Sequence, residues 1–514
     1  MKIDIRTNAR RNLISGIINR VIAMGLPFFV NSLIIWKLGA EYAGIRGLFS
    51  SVLQVLNLAE LGVGSAIVYS MYKPIAEDDL PTICALFALY KKVYKLIGFV
   101  ILILGLTLVP FVRTIITGNV PADVNIYAIF LIYIFNTVLS YWLFAYKSAL
   151  LNAYQRVDVI NYISSITTAL MNIVQLLILV YWQSFYAYLM AMVVFTIINN
   201  LMVSYNVNRL FPNIECTGTV KPDLVRDIKK KIYGLIIGKV CGITRNTLDS
   251  IYISAFMGLT MIAIYNNYLM VFMAINSISL IVVQSLQAGI GNKLQLNTEI
   301  ENLEILRKLN FIYMHLAGWA AICLLNLYQP FIEFWLGPAM MLNMVAVVLL
   351  SVYFYVLKMS DMQYMFAEAA GLWWENRFRV IAESLCNIVL NFVLIREYGV
   401  CGVIVATALS LLVFGVTGAT YIVFKHYFKK GIIIYLKDHL IYMIGTALNA
   451  AVTYQFCNWL GDNTIVGLLT KFFVCLTVTP LLFFLLYHRS ERFVMSKGWL
   501  LRRHFGSVSR ISTK

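Results

Sequence analysis

Charged residues are scarce in this chain of 514 residues, where Asp, Glu, Lys and Arg make up only 13% and hydrophobic residues make up 61%. Soluble domains carry about a quarter charged residues and nearer half apolar ones. So few charges cannot cover a surface that faces water, and the composition therefore excludes an ordinary soluble protein. The apolar residues also come in runs of about twenty, the length that a helix needs to cross a bilayer core. We expect an all-α integral membrane protein.

Cysteine and histidine patterns that would hold a metal are missing. The chain has 8 Cys and 5 His, and no two cysteines form a CxxC pair. Several cysteines, among them Cys241, Cys323 and Cys386, lie inside apolar runs and are interpreted as small core residues. We expect no metal site, and no cofactor apart from a coupling Na⁺ or H⁺. The net charge of +17 does not indicate nucleic-acid binding, because the basic residues lie in loops between apolar runs.

Fourteen apolar runs are long enough to cross a membrane. They are 13–36, 45–70, 93–116, 126–150, 159–182, 187–207, 232–257, 261–290, 309–331, 345–370, 378–395, 403–424, 439–459 and 465–487. Lys and Arg are enriched in every second connection, including Lys91, Lys92 and Lys95 after the second run, which is typical of cytoplasmic loops. The opposite connections offer only Lys37, Arg46, Arg113 and Arg396. We predict about fourteen transmembrane helices with both termini in the cytoplasm.

Two cytoplasmic connections are longer than the others. Residues 206–231 contain Pro212, Gly218 and Pro222, helix breakers that are typical of a linker. Residues 291–308 predict a surface helix, because Thr298 and Glu301 form a capping box ahead of an apolar stripe. No cleavable signal peptide is expected, because the first apolar run is long enough to span the membrane.

Short matches between the two halves indicate an internal repeat. Residues 17–21 align with 236–240 and residues 172–174 with 387–389, which puts a cation at the same depth in the first and seventh runs. Six helices per half would make the repeats parallel, with an axis along the membrane normal. The predicted organisation is a six-helix lobe at 1–210, a cytoplasmic linker at 211–231, a second six-helix lobe at 232–430, two appended helices at 431–488 and a basic cytoplasmic tail at 489–514.

Several charges fall inside the predicted spans. The cations are Arg20, Lys239, Arg245, Lys358 and Lys471, and the carboxylates are Glu60, Asp249, Asp361 and Glu383. A charge at the bilayer centre costs about 2.5–3.5 kcal/mol, so such residues usually face a wet cavity or a partner. Two pairs share a helix face and could simply neutralise each other, Arg245 with Asp249 and Lys358 with Asp361.

The alternative is that these cations have a function. On that interpretation an anion is held in an aqueous cleft lined by Arg20, Arg46, Lys239, Arg245 and Lys358. Glu60, Asp249 and Asp361 would then tune the cleft or bind a coupling Na⁺ or H⁺. No catalytic constellation is apparent, so we do not expect an enzyme.

Three stretches resemble a known family of transporters. They are GIRGLF, LAELGVGSAI and YKPIAE at 44–49, 58–67 and 72–77; LDSIYIS, YNNY and IGN at 248–254, 265–268 and 290–292; and FWLG at 334–337 with GL at 371–372 and AE at 382–383. They resemble bacterial O-antigen-type and capsule-type polysaccharide-unit flippases of the multidrug/oligosaccharidyl-lipid/polysaccharide (MOP) exporter superfamily. The resemblance runs from the first span to about the twelfth.

This resemblance implies two six-helix lobes in a V-shaped arrangement, with a cleft that opens alternately to each side, plus two C-terminal helices. The implied cargo and partner is an oligosaccharide on an undecaprenyl diphosphate carrier, moved across a bacterial inner membrane, with the polysaccharide polymerase machinery as a further partner. Arg20 matches the position where lipid-carrier flippases of this superfamily keep cavity arginines.

Two other functions compete with this one. A cation-coupled multidrug exporter of the same superfamily would need a carboxylate-rich cleft, whereas the first span carries Arg20 and no acid. A membrane polymerase or glycosyltransferase would need positioned carboxylates and a sizeable outer loop, whereas the outer connections are short and poor in acids. The sequence therefore favours the flippase.

Overall fold

The computed structural model describes residues 5–60, 63–118, 120–460 and 465–496, and every regular element within these ranges is helical. Contacts divide the chain into two compact units, which we call unit 1 (Met1–Ala263) and unit 2 (Ile264–Lys514). The all-α class predicted from composition is confirmed.

The described residues of the first half of the chain form nine α-helices. They are α1 (Ile5–Lys37), α2 (Ala40–Leu56), α3 (Val63–Ala76), α4 (Leu80–Leu108), α5 (Ile126–Trp142), α6 (Ser148–Ala153), α7 (Val157–Tyr181), α8 (Phe185–Leu210) and α9 (Pro222–Met257). A 3₁₀ turn at Asn57–Glu60 follows α2 directly, and a second one at Ala145–Lys147 precedes α6. These turns lie within the second and fourth predicted spans, and the α5–α6 pair is bent by 46°.

Eight further helices follow within the described residues up to Tyr487. They are α10 (Leu259–Leu296), α11 (Glu299–Leu336), α12 (Met344–Met359), α13 (Asp361–Ala369), α14 (Trp373–Ser410), α15 (Ala419–Val423), α16 (Ile433–Leu460) and α17 (Ile465–Tyr487). Wider π-helical segments, Leu411–Gly418 and Phe424–Phe428, flank α15. Each of the fourteen predicted spans coincides with one or more of these seventeen helices.

Length and composition alone identify ten membrane-crossing helices in the described residues, or eleven when the bent α5–α6 pair counts as one. By length and composition the eleventh and twelfth predicted spans count as one segment, because the chain is helical almost without a break from Trp374 to Phe428. Gly399, however, has φ 55° and ψ −134° inside α14. An added Cβ on Gly402 would lie 2.2 Å from the carbonyl oxygen of Leu394, so the chain turns back on itself here. These are two spans joined by a tight glycine turn.

The start of α4 corrects the predicted boundary of the third span. The helix begins at Leu80 rather than near Val93, because the side chain of Asp79 caps it by accepting the backbone N–H of Thr82 at 3.1 Å. Lys91, Lys92 and Lys95 therefore lie within the helix and not in a loop. At 29 residues α4 is about 44 Å long, which exceeds a hydrocarbon core of about 30 Å and leaves one end of the helix outside it.

The predicted surface helix at 291–308 is not formed. The capping box itself is present, since Thr298 and Glu301 exchange both hydrogen bonds. The helix that it caps is α11, which continues without a break to Leu336, while α10 extends to Leu296. Leu306, which the sequence placed in the apolar stripe of that surface helix, instead belongs to the buried core of unit 2.

Each unit has its own packed interior. In unit 1, Phe49 of α2 packs on Phe130 and Tyr133 of α5, with ring centroids 5.1 and 5.8 Å apart. In unit 2, a cluster joins α10, α11, α13, the segment around α15, and α16. Large apolar side chains such as Leu96 and Phe99 of α4 are exposed, as expected of helices that face lipid.

Candidate functional site

A ladder of polar side chains joins α1 to α7 inside unit 1. Asn12 accepts the backbone N–H of Asp158 at 2.7 Å, Asn161 donates to Ser15 at 3.1 Å, and Ser165 donates to Asn19 at 3.2 Å. The residues on α1 recur every three or four positions and therefore form one stripe. Hydrogen bonds between helices are the usual role of such residues in a membrane. The ladder fixes which face of α1 packs against α7.

Arg20 follows Asn19, the last rung of this ladder, and is turned about 100° away from it around the helix. Its side chain is exposed, and no ion pair or hydrogen bond joins it to another residue in the described part of the chain. Ile17 and Val21 on the neighbouring face are 55% and 67% exposed. This side of α1 is therefore not covered by the rest of unit 1.

Arg46 is anchored to α1 from α2. Its Nη2 donates to Oδ1 of Asn31 at 2.5 Å, and Asn31 is buried. The glycine two residues before Arg46 explains the close packing here: an added Cβ on Gly44 would lie 2.1 Å from the carbonyl oxygen of Leu259. The GIRG motif thus combines a tight backbone approach with a positioned guanidinium.

Glu60 lies in the 3₁₀ turn that interrupts the second span, and three tyrosines surround it. Its Oε1 accepts the hydroxyl of Tyr94, and its Oε2 accepts the hydroxyl of Tyr141 at 2.5 Å. Tyr90 donates in turn to the hydroxyl of Tyr94 at 2.8 Å. Within the described residues no Lys, Arg or His pairs with Glu60. A half-buried carboxylate with only neutral donors has acceptor capacity left for a proton or a small cation.

The middle of α9 carries three more predicted site residues. The side chains of Lys239 and Arg245 lie outside the described residues, so their cleft roles stay predictions. Asp249, two turns from the end of the helix, is buried. The pairing of Arg245 with Asp249 likewise stays a prediction.

Lys358 and Asp361 meet at the junction of α12 and α13. Nζ of Lys358 lies 2.6 Å from Oδ2 of Asp361, and Tyr313 of α11 donates its hydroxyl to the same oxygen at 2.5 Å. The side chains are 1% and 11% exposed. In the structure Lys358 is therefore paired with Asp361 and is not a free cation.

A second buried pair was not predicted as such. Nη1 of Arg379 lies 2.7 Å from Oε2 of Glu383, and both side chains are 6% exposed. Arg379 also donates to the carbonyl oxygen of Phe414 at 3.2 Å. Phe414 lies in the π-helical segment Leu411–Gly418. The sequence signal was available, because Arg and Glu four residues apart share a helix face.

Sequence analysis also missed a buried polar cluster in unit 2. His439 of α16 is 1% exposed, and its Nε2 lies 3.3 Å from the amide of Asn310 and 3.1 Å from that of Gln363. These contacts join α11, α13 and α16. A single His at the start of an apolar run gives no pattern from which such a cluster could be predicted.

The predicted site residues are thus distributed over both units. The structure brings Lys358 and Asp361 together, whereas Arg46 and Glu60 contact different neighbours within unit 1. Arg20 is exposed and makes no ion pair or hydrogen bond with a described residue. In unit 1, Arg20 is exposed, and Glu60 has no basic partner among the described residues. Unit 2 holds paired charges in its interior.

Comparison with known proteins finds no matching family model and no matching curated protein. Solved structures do match. A lipid II flippase MurJ in an inward closed conformation has a TM-score of 0.67 at 14% identity, covering 93% of this chain and 98% of its own. An inward-facing multidrug resistance MATE family transporter of the MOP superfamily has a TM-score of 0.66 at 13% identity, covering 80% and 98%.

A MOP superfamily transporter from Pyrococcus furiosus, described as having a binding pocket of reverse polarity, gives a TM-score of 0.57 at 13% identity and covers 82% of this chain and 96% of its own. At these identities the likeness shows the fold alone. The chain has the multi-pass membrane fold of MOP superfamily transporters and flippases.

Proposed function

We propose that this protein is a flippase that moves undecaprenyl-diphosphate-linked oligosaccharides from the inner to the outer leaflet of a bacterial cytoplasmic membrane by alternating access. The observation that carries the proposal is Arg20, a cation exposed on a membrane-spanning helix whose other face is fixed by the ladder to α7. Such a residue faces water rather than hydrocarbon, because a charge in lipid is costly. The exposed side of α1 then lines a hydrated passage.

A cationic passage suits a diphosphate. Arginine presents several donors in a planar fork that matches phosphate oxygens. The lipid tail stays in the bilayer while the head group crosses, so only the sugar and the phosphates need a wet path. The sequence motifs at 44–49 and 58–67 support the same cargo class through their resemblance to polysaccharide-unit flippases, and the first of them contains Arg46.

The runner-up, a cation-coupled multidrug exporter, has the same fold. It is less well supported, because α1 from Ile5 to Lys37 contains no acidic residue that would attract a cationic drug. Lys358 favours neither the flippase nor the drug exporter, because Asp361 already neutralises it. No constellation of side chains among the described residues favours an enzymatic function.

Coupling to Na⁺ or H⁺ is assigned here to Glu60. Discontinuous helices place ion-binding groups at breaks in the membrane region of many transporters. Glu60 sits in such a break and is held by two tyrosine hydroxyls. Asp249 and Asp361 are the other candidates from the sequence, and Asp361 is the weaker, because it is already bound to Lys358.

Complementation tests the proposal. The gene is deleted in its host, and the surface polysaccharide is measured after rescue by wild type, Arg20→Ala, Arg20→Lys, Lys239→Ala and Arg245→Ala, with membrane levels checked by immunoblot. Arg113→Ala is the matched control, because in the structure Arg113 lies beyond the helical segment that ends at Phe111 and its contact is a carbonyl oxygen.

The expected result is full rescue by Arg113→Ala, no rescue by Arg20→Ala at normal membrane level, and partial rescue by Arg20→Lys, which keeps the charge. Full rescue by Arg20→Ala would remove the cationic passage from the mechanism. Survival of the surface polymer after deletion, with no second flippase in the host, would overturn the flippase assignment and make drug export the next assay.

A further inference from the structure

An apolar groove runs along the surface of unit 2 between α11 and α17. It has a volume of about 470 Å³, and the short helical turn at 491–496 closes one end. Its walls include Phe311, Trp319, Phe483 and Phe484, and Trp319 is held in place by donating Nε1–H to the carbonyl oxygen of Cys475 at 2.9 Å. The volume lies within the range of about 300–1,000 Å³ typical of ligand pockets.

The groove lies at a defined depth. Phe311 and Trp319 are eight residues apart on α11, so the wall between them is about 12 Å long. That length is close to half of a hydrocarbon core of about 30 Å. Phe311 lies near the end of α11 that the sequence places on the cytoplasmic side, so the groove occupies the inner-leaflet half of the membrane.

A basic cluster stands at the cytoplasmic end of this groove. One helical turn before Phe311, Arg307 donates Nε–H to Oδ2 of Asp438 at 2.7 Å. Nη2 of Arg492 lies 3.9 Å from the same oxygen, too far for a hydrogen bond. Two guanidinium groups thus share one carboxylate, which leaves an excess positive charge. Phe493, next to Arg492, is part of the groove wall and packs on Phe484 with ring centroids 5.7 Å apart.

Two polar atoms in the lining have no hydrogen-bond partner among the described residues. They are Oγ of Ser496, a residue 3% exposed, and Nε2 of His315, whose Nδ1 already pairs with the carbonyl oxygen of Phe311. Unpaired buried polar atoms are uncommon in native proteins and indicate a missing partner. In an otherwise apolar groove, a ligand with an apolar chain and a polar head supplies both kinds of contact.

We propose that this groove binds an anionic phospholipid of the inner leaflet, with one acyl chain between α11 and α17 and the phosphate at Arg307 and Arg492. Basic pockets between transmembrane helices on the cytoplasmic side are suited to anionic head groups. The competing occupant is the tail at 497–514. That tail carries Lys497, Arg502, Arg503, Arg510 and Lys514 and no acid, so the basic cluster would repel it. This inference is independent of the cargo that the protein moves.

Lipid titration of the purified full-length protein tests the site. Native mass spectrometry counts bound phosphatidylglycerol and phosphatidylcholine of the same acyl chains, for wild type, Arg492→Gln and the groove-filling variant Leu316→Trp. Leu316 lines the groove and is partly exposed. The controls are Lys73→Gln, an exposed cation in unit 1, and Leu485→Trp, an exposed leucine on the far face of α17.

Wild type is expected to bind one phosphatidylglycerol at about fivefold lower concentration than phosphatidylcholine, the effect of roughly one cation near a membrane surface. Arg492→Gln should remove that preference, and Leu316→Trp should weaken both lipids, while the two controls stay like wild type. Equal binding of the two lipids by wild type, or no effect of Leu316→Trp, would overturn the proposal. So would tighter binding of undecaprenyl phosphate than of phosphatidylglycerol, or binding that appears only after residues 497–514 are deleted.

Discussion

Tyr141 donates its hydroxyl to Glu60 across 81 positions of the chain, at 2.5 Å. Tyr94 binds the other oxygen of the same carboxylate from α4. The two tyrosines stand on different helices, so the carboxylate joins α4, α5 and the break after α2 at one point. Protonation of Glu60, or an ion bound to it, would therefore change the hydrogen bonds that link α4, α5 and the turn after α2.

Glu60→Gln should abolish rescue of the surface polysaccharide, because an amide can neither take up a proton nor bind a cation as a carboxylate does. Glu60→Asp should retain part of the activity, since the charge remains but the reach to Tyr94 and Tyr141 is shorter. Tyr141→Phe removes a hydrogen bond to a charged group, worth about 1.5–3 kcal/mol, and should lower transport roughly 10- to 100-fold.

The matched control is Glu77→Gln, because Glu77 is an exposed carboxylate just after α3 whose ion pair with Lys73 is on the surface. Wild-type rescue by Glu60→Gln at normal membrane level would show that Glu60 has only a packing role. The coupling assignment would then pass to Asp249.

Gly44→Ala should destabilise the protein and lower its thermal unfolding midpoint. The added Cβ would lie 2.1 Å from the backbone oxygen of Leu259, a carbonyl that cannot move aside as a side chain could. Overpacking of this kind costs about 1–3 kcal/mol or more. Gly25→Ala is the matched control, since Gly25 is also helical and has open space around its Cβ position. That variant should be as stable as wild type or slightly more so, by about 0.5–1 kcal/mol.

Thermal unfolding in detergent measures both glycine variants. A Gly44→Ala protein with a wild-type midpoint would mean that α2 and the start of α10 are not in close contact. A comparable loss in both variants would point to a general effect of replacing glycine rather than to this contact.

The spans could be predicted from sequence because a helix in lipid must satisfy its backbone internally and be apolar over about twenty residues. The turn at Gly399 lies between the predicted spans 378–395 and 403–424, so the sequence indicated a connection there. The 3₁₀ turn at Glu60 could not be predicted, because it depends on packing and the local sequence stays apolar enough to read as a continuous helix. The sequence correctly predicted the capping box at Thr298, but the helix that it starts is α11 and not a separate surface helix.

The candidate site was predictable only in part, and for a similar reason. Residue types and helix spacing identified the pair of Lys358 with Asp361, because its partners are local. The tyrosines that hold Glu60 come from 34 and 81 positions away, and no periodic pattern indicates them. The exposure of Arg20 likewise depends on the face of α1 that α7 covers.

The cap at Asp79 should show a defined pH dependence. Its hydrogen bonds with Thr82 hold the pKa of this carboxyl below its ordinary value of 3.8. The folded pKa is therefore the lower one, so the cap contributes its full stability above pH 3.8 and loses it as the pH falls through the folded pKa. Hydrogen exchange of the first turn of α4 should be faster in Asp79→Ala than in wild type at pH 6. The difference should narrow below pH 3.8, and a difference that is constant with pH would refute the charged cap.

Lys358→Met should destabilise unit 2 by about 3–5 kcal/mol, because it leaves the carboxylate of Asp361 buried with only the hydroxyl of Tyr313 as a partner. The double variant Lys358→Met with Asp361→Leu removes both charges and should recover much of that loss. Thermal unfolding of the two single variants and the double variant measures the coupling between the residues. If Lys358→Met keeps the wild-type midpoint but fails to restore surface polysaccharide, the lysine acts on the cargo after all. If the double variant is stable and also restores the polymer, the ion pair serves folding alone, and the cationic passage rests on Arg20 and the cations of α9.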